Sequence, residues 1–325
     1  MAACGETNKT SEEITRRGEL RFITRNSPTT YYLGRSGARG FEYDLAQLLA
    51  QELEVDLVVT TAFSLDELFN ALERGEADIA GAGLTLTEAR SERFASSKSY
   101  AQQTPQVVYK VGRKKPRKIT DLADQTLAVL ANSSHEELLT SLRDQKHPWL
   151  EWESIDGSDT GELLSRVNED RNDLAIVDSR DFFIQQNLVP RLEVAFDLAV
   201  KKNIVWYLHR SAKETPLLNT INAFLERRKT DGSIAKIHNR YFDRDEDISR
   251  IDSQTFAGKV RRNLGEYQQL IEIVALEQKI PWELLAAISY QESHWDPQAT
   301  SRTGVRGMMM LTLPTAREMG VDNRT

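Results

Sequence analysis

A single cysteine in 325 residues excludes an internal disulfide, so burial and hydrogen bonding must hold whatever fold forms. No apolar run reaches the roughly 18 residues that a helix needs to cross a bilayer. Basic charge is in deficit: 42 Lys and Arg against 49 Asp and Glu leave a net charge of −7. That balance argues against a nucleic-acid partner, which wants a basic face. The 5 histidines, at 135, 147, 209, 238 and 294, have no partners at ligand spacing, so neither a metal nor a cofactor is expected. A Ser-His-Asp or Cys-His arrangement, a phosphate-binding glycine loop and a solenoid repeat are likewise missing.

What is present describes a globular chain, 40% hydrophobic and 28% charged. Its length predicts two or three folding units. Residues 5–16 are polar and read as a tether. Strand-like runs at 19–24, 55–60, 77–83, 126–130 and 174–177 alternate with helical patterns such as 64–74 and 216–228. That alternation predicts an α/β unit with helices on both sheet faces. The basic run 112–118 reads as a solvated loop rather than a site. Residues 244–258 form a charged connector, and helical character resumes from Lys259.

Near the C-terminus, Pro281-Trp-Glu-Leu-Leu-Ala-Ala-Ile-Ser-Tyr-Gln-Glu-Ser-His-Trp295 predicts a helix with Pro281 at its first position. Helical spacing puts Leu285, Ile288 and Glu292 on one stripe. A glutamate continuing an apolar stripe is expected to be partly desolvated, with its pKa raised toward that of a neutral acid. The alternative is an amphipathic helix whose end carries a surface glutamate.

Beyond Glu292 come Asp296-Pro297, Ala299-Thr300-Ser301, Gly304-Val305-Arg306-Gly307-Met308-Met-Met-Leu311 and Pro314-Thr-Ala316. In register over 281–320, this run resembles the catalytic signature of the soluble-lytic-transglycosylase family, which has a goose-type lysozyme fold. Its Gly-Met-Met-Met-Leu-Thr form is similar to the F branch of the membrane-bound members. Met310 stands where many members carry glutamine. The resemblance implies that Glu292 protonates the glycosidic oxygen between N-acetylmuramic acid and N-acetylglucosamine. The resulting carboxylate then takes the proton of the muramic C6 hydroxyl as a 1,6-anhydro ring closes, without consuming water. It further implies substrate contacts at Ser301, Gly304, Gly307 and Met308, and a catalytic domain that continues past Thr325. Ser293 reads as a residue holding backbone at the helix end, and Asp296 as a turn residue.

Upstream, Gly40-Phe-Glu-Tyr-Asp44, Gly75-Glu-Ala-Asp78, Thr85-Leu-Thr-Glu-Ala-Arg90 and Asp173 through Asp178 resemble the periplasmic amino-acid-binding protein family. The resemblance implies two lobes closing on a ligand, lobe one at 17–108 plus 200–243 and lobe two at 109–199. In that reading Arg90 forks onto a ligand carboxylate, with Gly83 and Thr85 supplying further donors. Ser133 and Ser134 open a helix toward the anion, and Asp178 meets the ligand ammonium. Tyr31 and Tyr32 are candidates for an aromatic wall, of which Tyr32 is preferred. The plain alternative for Arg90 is a surface salt bridge with Glu88 or Glu92.

Finally, Ala2-Ala3-Cys4 resembles the tail of a bacterial lipobox, which implies a lipidated Cys4 behind a longer signal peptide. Together these readings predict a two-lobed α/β periplasmic-binding-protein-like domain (17–243), then an incomplete all-α lysozyme-like domain (259–325). They imply a peptidoglycan-degrading enzyme with a small amino acid or muropeptide ligand. It would be held by a lipid at the inner face of the outer membrane, in the periplasm. The competing reading is a ligand-binding sensor with a silent catalytic unit.

Overall fold

The computed structural model describes residues 11–34, 37–157, 159–213, 215–242, 260–300 and 305–321. The expectations on Cys4, Ser301, Gly304 and the connector 244–258 lie outside those residues. The chain divides into two compact units, Met1–Arg244 and Asp245–Thr325.

The first unit is built on two five-stranded sheets. In one, Glu19–Arg25 runs parallel to Asp56–Ala62, with Phe22 opposite Val59, and parallel to Ile79–Ala80 on its other side. Tyr207–Leu208 joins Ile79–Ala80 antiparallel and carries Ala95–Ser96 beyond it. In the other, Glu153–Ile155, Leu127–Leu130 and Leu174–Asp178 are parallel neighbours. Pro105–Lys110 then lies antiparallel to Leu174–Asp178, with Val107 opposite Ile176, and Leu192–Asp197 forms the edge. Helices cover these strands, which is why central runs such as 174–177 are apolar throughout rather than alternating.

Two segments cross between the sheets, and they pair with each other: Ala101–Gln103 is antiparallel to Lys202–Ile204. This corrects one expectation and divides one run of the sequence. The first crossing falls before Pro105 rather than at 108, because all of Pro105–Lys110 is hydrogen-bonded into the second sheet. The apolar run 203–208 is not one strand: Ile204 ends the crossing pair, and Tyr207 begins a strand of the first sheet. Val205 and Trp206, between them, are fully buried.

The first sheet's core centres on Trp206, with Phe22 edge-on at 5.7 Å and Phe224 stacked at 6.4 Å. Gly81 is required there, since a Cβ would lie 2.4 Å from Phe22 Cζ and 2.6 Å from the Trp206 ring. Gly40 is required for a different reason: its φ is +134°, and a Cβ would stand 2.0 Å from the Thr30 carbonyl oxygen. The basic loop is tied down locally, with Arg113 on Asp170 at 2.9 Å and Lys115 over the Tyr109 ring.

In the second unit, helices Gly265–Gln278 and Trp282–Ser293 are joined through Lys279, which adopts a left-handed φ of 56°. Pro281 is the N-cap rather than the first helical residue, since its ψ of 132° is extended.

Candidate functional site

Between the two sheets of the first unit lies a cavity of about 90 Å3, lined by Gly83, Thr85, Arg90, Ser133, Ser134 and Asp178. Tyr32 is not among its walls; it lines a separate groove with Arg240 and Tyr241. The reason is local: Tyr32–Gly34 folds into a hairpin with Gly37–Arg39, which takes the ring away from the cleft. Tyr31 packs on Tyr43 at 5.7 Å.

Protein partners already engage most of these groups. Arg90 is buried, with its guanidinium 5.0 Å over the Phe69 ring. Its Nε donates to Glu137 Oε1 at 2.9 Å and its Nη2 to the Asn132 carbonyl at 3.1 Å. Its ion-pair partner is therefore Glu137, on the second-sheet side, rather than Glu88 or Glu92. The Gly83 N–H donates to Glu42 at 2.9 Å. The Gly83 carbonyl and Thr85 Oγ1 accept from Gln103 Nε2 at 3.1 and 3.2 Å. Ser133 caps helix Ser134–Gln145, accepting from the Glu136 N–H, while Glu136 reaches back to the Asn132 N–H at 2.6 Å. Asp178 Oδ1 stands 3.2 Å from His135 Nε2.

Three charged groups of the cleft had been given no role from the sequence. Glu42 is 1% exposed and accepts from Tyr100 OH, from Trp206 Nε1 at 2.8 Å and from the Gly83 N–H. Burial nevertheless pushes its carboxyl above the usual carboxylate range, outweighing those donors and the positive Arg180. Asp181 accepts from Thr29 Oγ1 at 2.7 Å and Thr160 Oγ1 at 3.2 Å. It too is raised, by burial first and then by the charge of Asp178. Arg180 packs against two mutually contacting rings, 4.5 Å from the centre of Phe41 and 4.1 Å from that of Phe242. Glu42 sits in the Gly40-Phe-Glu motif and was legible as part of it. Arg180 and Asp181 follow Asp178 with no spacing that marks them.

In the second unit, Glu292 is exposed in the last turn of Trp282–Ser293. The expected desolvated stripe is corrected: Ile288 is 40% exposed and Leu285 only half-buried. The buried face is Ala286, Ser289 and Ser293, one residue out of phase and so rotated by about 100°. Ala286 packs with Ile271 and Trp295, and Trp295 Nε1 donates to the Ala286 carbonyl at 2.9 Å. Ser293 joins the helix end to the downstream turn: its Oγ donates to the Met308 carbonyl at 2.8 Å and accepts from the Asp296 N–H at 3.1 Å. Asp296 turns the chain, accepting from the Gln298 N–H at 2.9 Å. Gly307, with φ +82°, donates its N–H to the Ala299 carbonyl at 2.9 Å. Among the described residues, no group of three His, Cys, Asp or Glu side chains is placed to hold a metal ion.

Residues 20–244 match the bacterial extracellular solute-binding proteins, family 3, and residues 269–325 match the transglycosylase SLT domain. Over all 325 residues the chain is 40% identical to a protein of Pseudomonas putida (strain GB-1) named membrane-bound lytic murein transglycosylase F. It is 38% identical to one of the same name from Pseudomonas fluorescens (strain Pf0-1). It spans 67% and 66% of those relatives' lengths, respectively. Among solved structures, an ancestral amino acid-binding protein, a precursor of cyclohexadienyl dehydratase, superposes with a TM-score of 0.63 at 25% identity, covering 72% of this chain and 100% of that one. A mutant of ArgBP from T. maritima shares the fold, with a TM-score of 0.64 at 22% identity over 72% of this chain and 99% of its own.

Proposed function

Because this chain belongs to the membrane-bound lytic murein transglycosylase F family, with a family 3 solute-binding domain ahead of an SLT domain, we propose that it carries the family's chemistry on Glu292. The substrate is the bond between N-acetylmuramic acid and N-acetylglucosamine in peptidoglycan. Glu292 protonates the leaving oxygen, and as carboxylate then receives the C6 hydroxyl proton while the 1,6-anhydro ring closes. One carboxylate suffices because the attacking oxygen belongs to the substrate, whereas hydrolytic glycosidases pair two. The observation that carries this reading is the bond from Ser293 to the Met308 carbonyl, which joins the helix end bearing Glu292 to the glycine turn at 307. Gly304, Gly307, Met308 and Ser301 are the proposed sugar contacts. Purified murein sacculi test it: anhydro-ended products, one water lighter than hydrolytic ones, are expected from the wild type and none from Glu292→Gln.

The solute-binding domain is proposed to take a small amino acid or muropeptide in the cleft lined by Arg90, Thr85 and Asp178, and to bias the catalytic unit when the ligand prefers one lobe arrangement. Murein cleavage unchanged by every amino acid and muropeptide tested would remove that coupling. The boundaries 17–243, 244–258 and 259–325 belong to the same reading, and expression of 17–243 alone tests them by its fold and ligand binding. A lipid on Cys4, holding the protein to the inner face of the outer membrane, is proposed as well. Fatty-acid labelling lost in Cys4→Ser checks it.

A second reading, a binding protein with a silent catalytic unit, draws on one observation: Leu270, Leu276 and Leu284 are at least half exposed around Glu292's helix pair. Inactivity of this chain with intact ligand binding favours it.

A further inference from the structure

The loop at 111–118 leaves the second sheet at the end remote from the cleft: Asp178, a cleft residue, pairs with Pro105, and Leu174 pairs with Tyr109 at the other end. The loop carries Arg113, Lys114, Lys115, Arg117 and Lys118 and no acidic residue, in a chain whose net charge is −7. Its backbone is fixed as well as exposed. The Val111 N–H donates to the Arg191 carbonyl at 2.7 Å, the Arg113 N–H donates to the Lys110 carbonyl at 3.1 Å, and Pro116 is buried. The acids that touch the loop are engaged: Asp170 holds Arg113 at 2.9 Å and also Lys110, and Asp121 accepts the Arg117 N–H at 2.9 Å. Lys114, Arg117, Lys118 and the neighbouring Arg191 are exposed and form no ion pair among the described residues. Apolar side chains stand beside these cations. Val111 is 43% exposed, and Leu188, just before the turn at 189–192 that carries Arg191, is 53% exposed. Cations held together without counter-charges raise the local potential and attract a polyanion, and a loop already ordered loses little entropy on meeting one.

We propose that this end of the second sheet rests on a bilayer surface rich in anionic phospholipid, with Lys114, Arg117, Lys118 and Arg191 among the headgroups and Val111 and Leu188 at the edge of the acyl region. A membrane interface takes cations and exposed apolar side chains together. The acidic peptides of murein would engage the cations but leave Val111 and Leu188 in water. The cleft lies at the opposite end of the strands, so this contact does not cover it. The inference goes beyond the lipid proposed on Cys4 and does not depend on it.

The test uses the full chain with Cys4→Ser, so that no acyl chain contributes. It is sedimented with vesicles of equal parts phosphatidylglycerol and phosphatidylcholine, and with vesicles of phosphatidylcholine alone. Binding is expected to the mixed vesicles and not to the neutral ones, and it falls away between about 0.05 and about 0.5 M salt as screening shortens. Lys114→Gln, Arg117→Gln and Lys118→Gln together weaken it by roughly a hundredfold, at about fivefold per cation, with thermal melting unchanged. Removing the same charge elsewhere on the first unit, by Lys201→Gln, Lys229→Gln and Lys236→Gln, leaves it within about threefold. Leu188→Ser weakens it by about fivefold. Equal losses in the two triple variants reduce the attraction to net charge and overturn the proposal, as does a failure to bind anionic vesicles. Full binding by Leu188→Ser overturns the lipid assignment. Retention on purified murein sacculi that needs the loop cations, with no binding to vesicles, overturns it in favour of murein.

Discussion

Arg90 and Glu137 meet across the cleft at 2.9 Å, the arginine from the first-sheet side and the carboxylate from a helix of the second. The arginine is 7% exposed in its side chain and the glutamate 31%, so the contact is sheltered on one side only. It links the two halves directly, together with the bond from Arg90 Nη2 to the Asn132 carbonyl. Removing the glutamate leaves a buried cation that regains water only if the halves part. Glu137→Ala is therefore expected to shift the domain toward an open arrangement at a cost of about 1–3 kcal/mol. Spin labels on exposed Asp66 and Lys114, with Cys4 replaced by serine, read it as a longer distance. An unchanged distance distribution removes the pair from any role in closure.

Glu42→Gln tests the buried carboxyl. An amide offers one acceptor oxygen where the carboxylate offers two, so its NH2 must face a donor, either Trp206 Nε1 or the Gly83 N–H. A loss of about 1–3 kcal/mol is expected. The pH dependence has a definite sign. Burial raises the folded pKa, so the folded chain binds more protons than the unfolded one between the two values. This site's contribution is full below the unfolded carboxylate range and is lost as pH rises through the folded value. The glutamine variant lacks that slope, so its deficit should be larger near about pH 5 than near about pH 8. Urea melts at the two pH values measure it.

Ser293→Ala removes both the donor to the Met308 carbonyl and the acceptor for the Asp296 N–H. About 1–2 kcal/mol of stability in the second unit is expected to go. If the Gly307 turn must be held against the helix end for catalysis, murein cleavage falls by roughly tenfold, mostly in kcat. Full activity with reduced stability assigns Ser293 to the fold alone.

Gly40→Ala is expected to cost several kcal/mol or to prevent folding, because both the backbone angle and the Thr30 carbonyl exclude a Cβ. Thermal melting checks it. Gly18→Ala, at positive φ but in open space, should cost far less.

The alternation of strands and helices was readable from 19–24 and 174–177 because buried parallel strands show as short apolar runs. The crossing at 101–103 was not, since those residues look like any strand until their pairing with 202–204 exists. The exposure of Glu292 matches the alternative of a surface glutamate at the end of an amphipathic helix; which face of that helix is buried was not readable. The face at 286, 289 and 293 is buried because small side chains admit the neighbouring helix closely, and a serine gives no hydrophobic signal of that kind.

Composition and spacing alone settle that no disulfide can form within these 325 residues and that an α/β portion precedes a helical one. These follow from covalent facts and local periodicity. Which charges face each other is another matter: Arg90 and Glu137 lie 47 residues apart in sequence, and Arg180 comes against Phe41 and Phe242. Only the packed chain decides those pairings, because the interaction of two charges depends on their distance and on the water excluded around them.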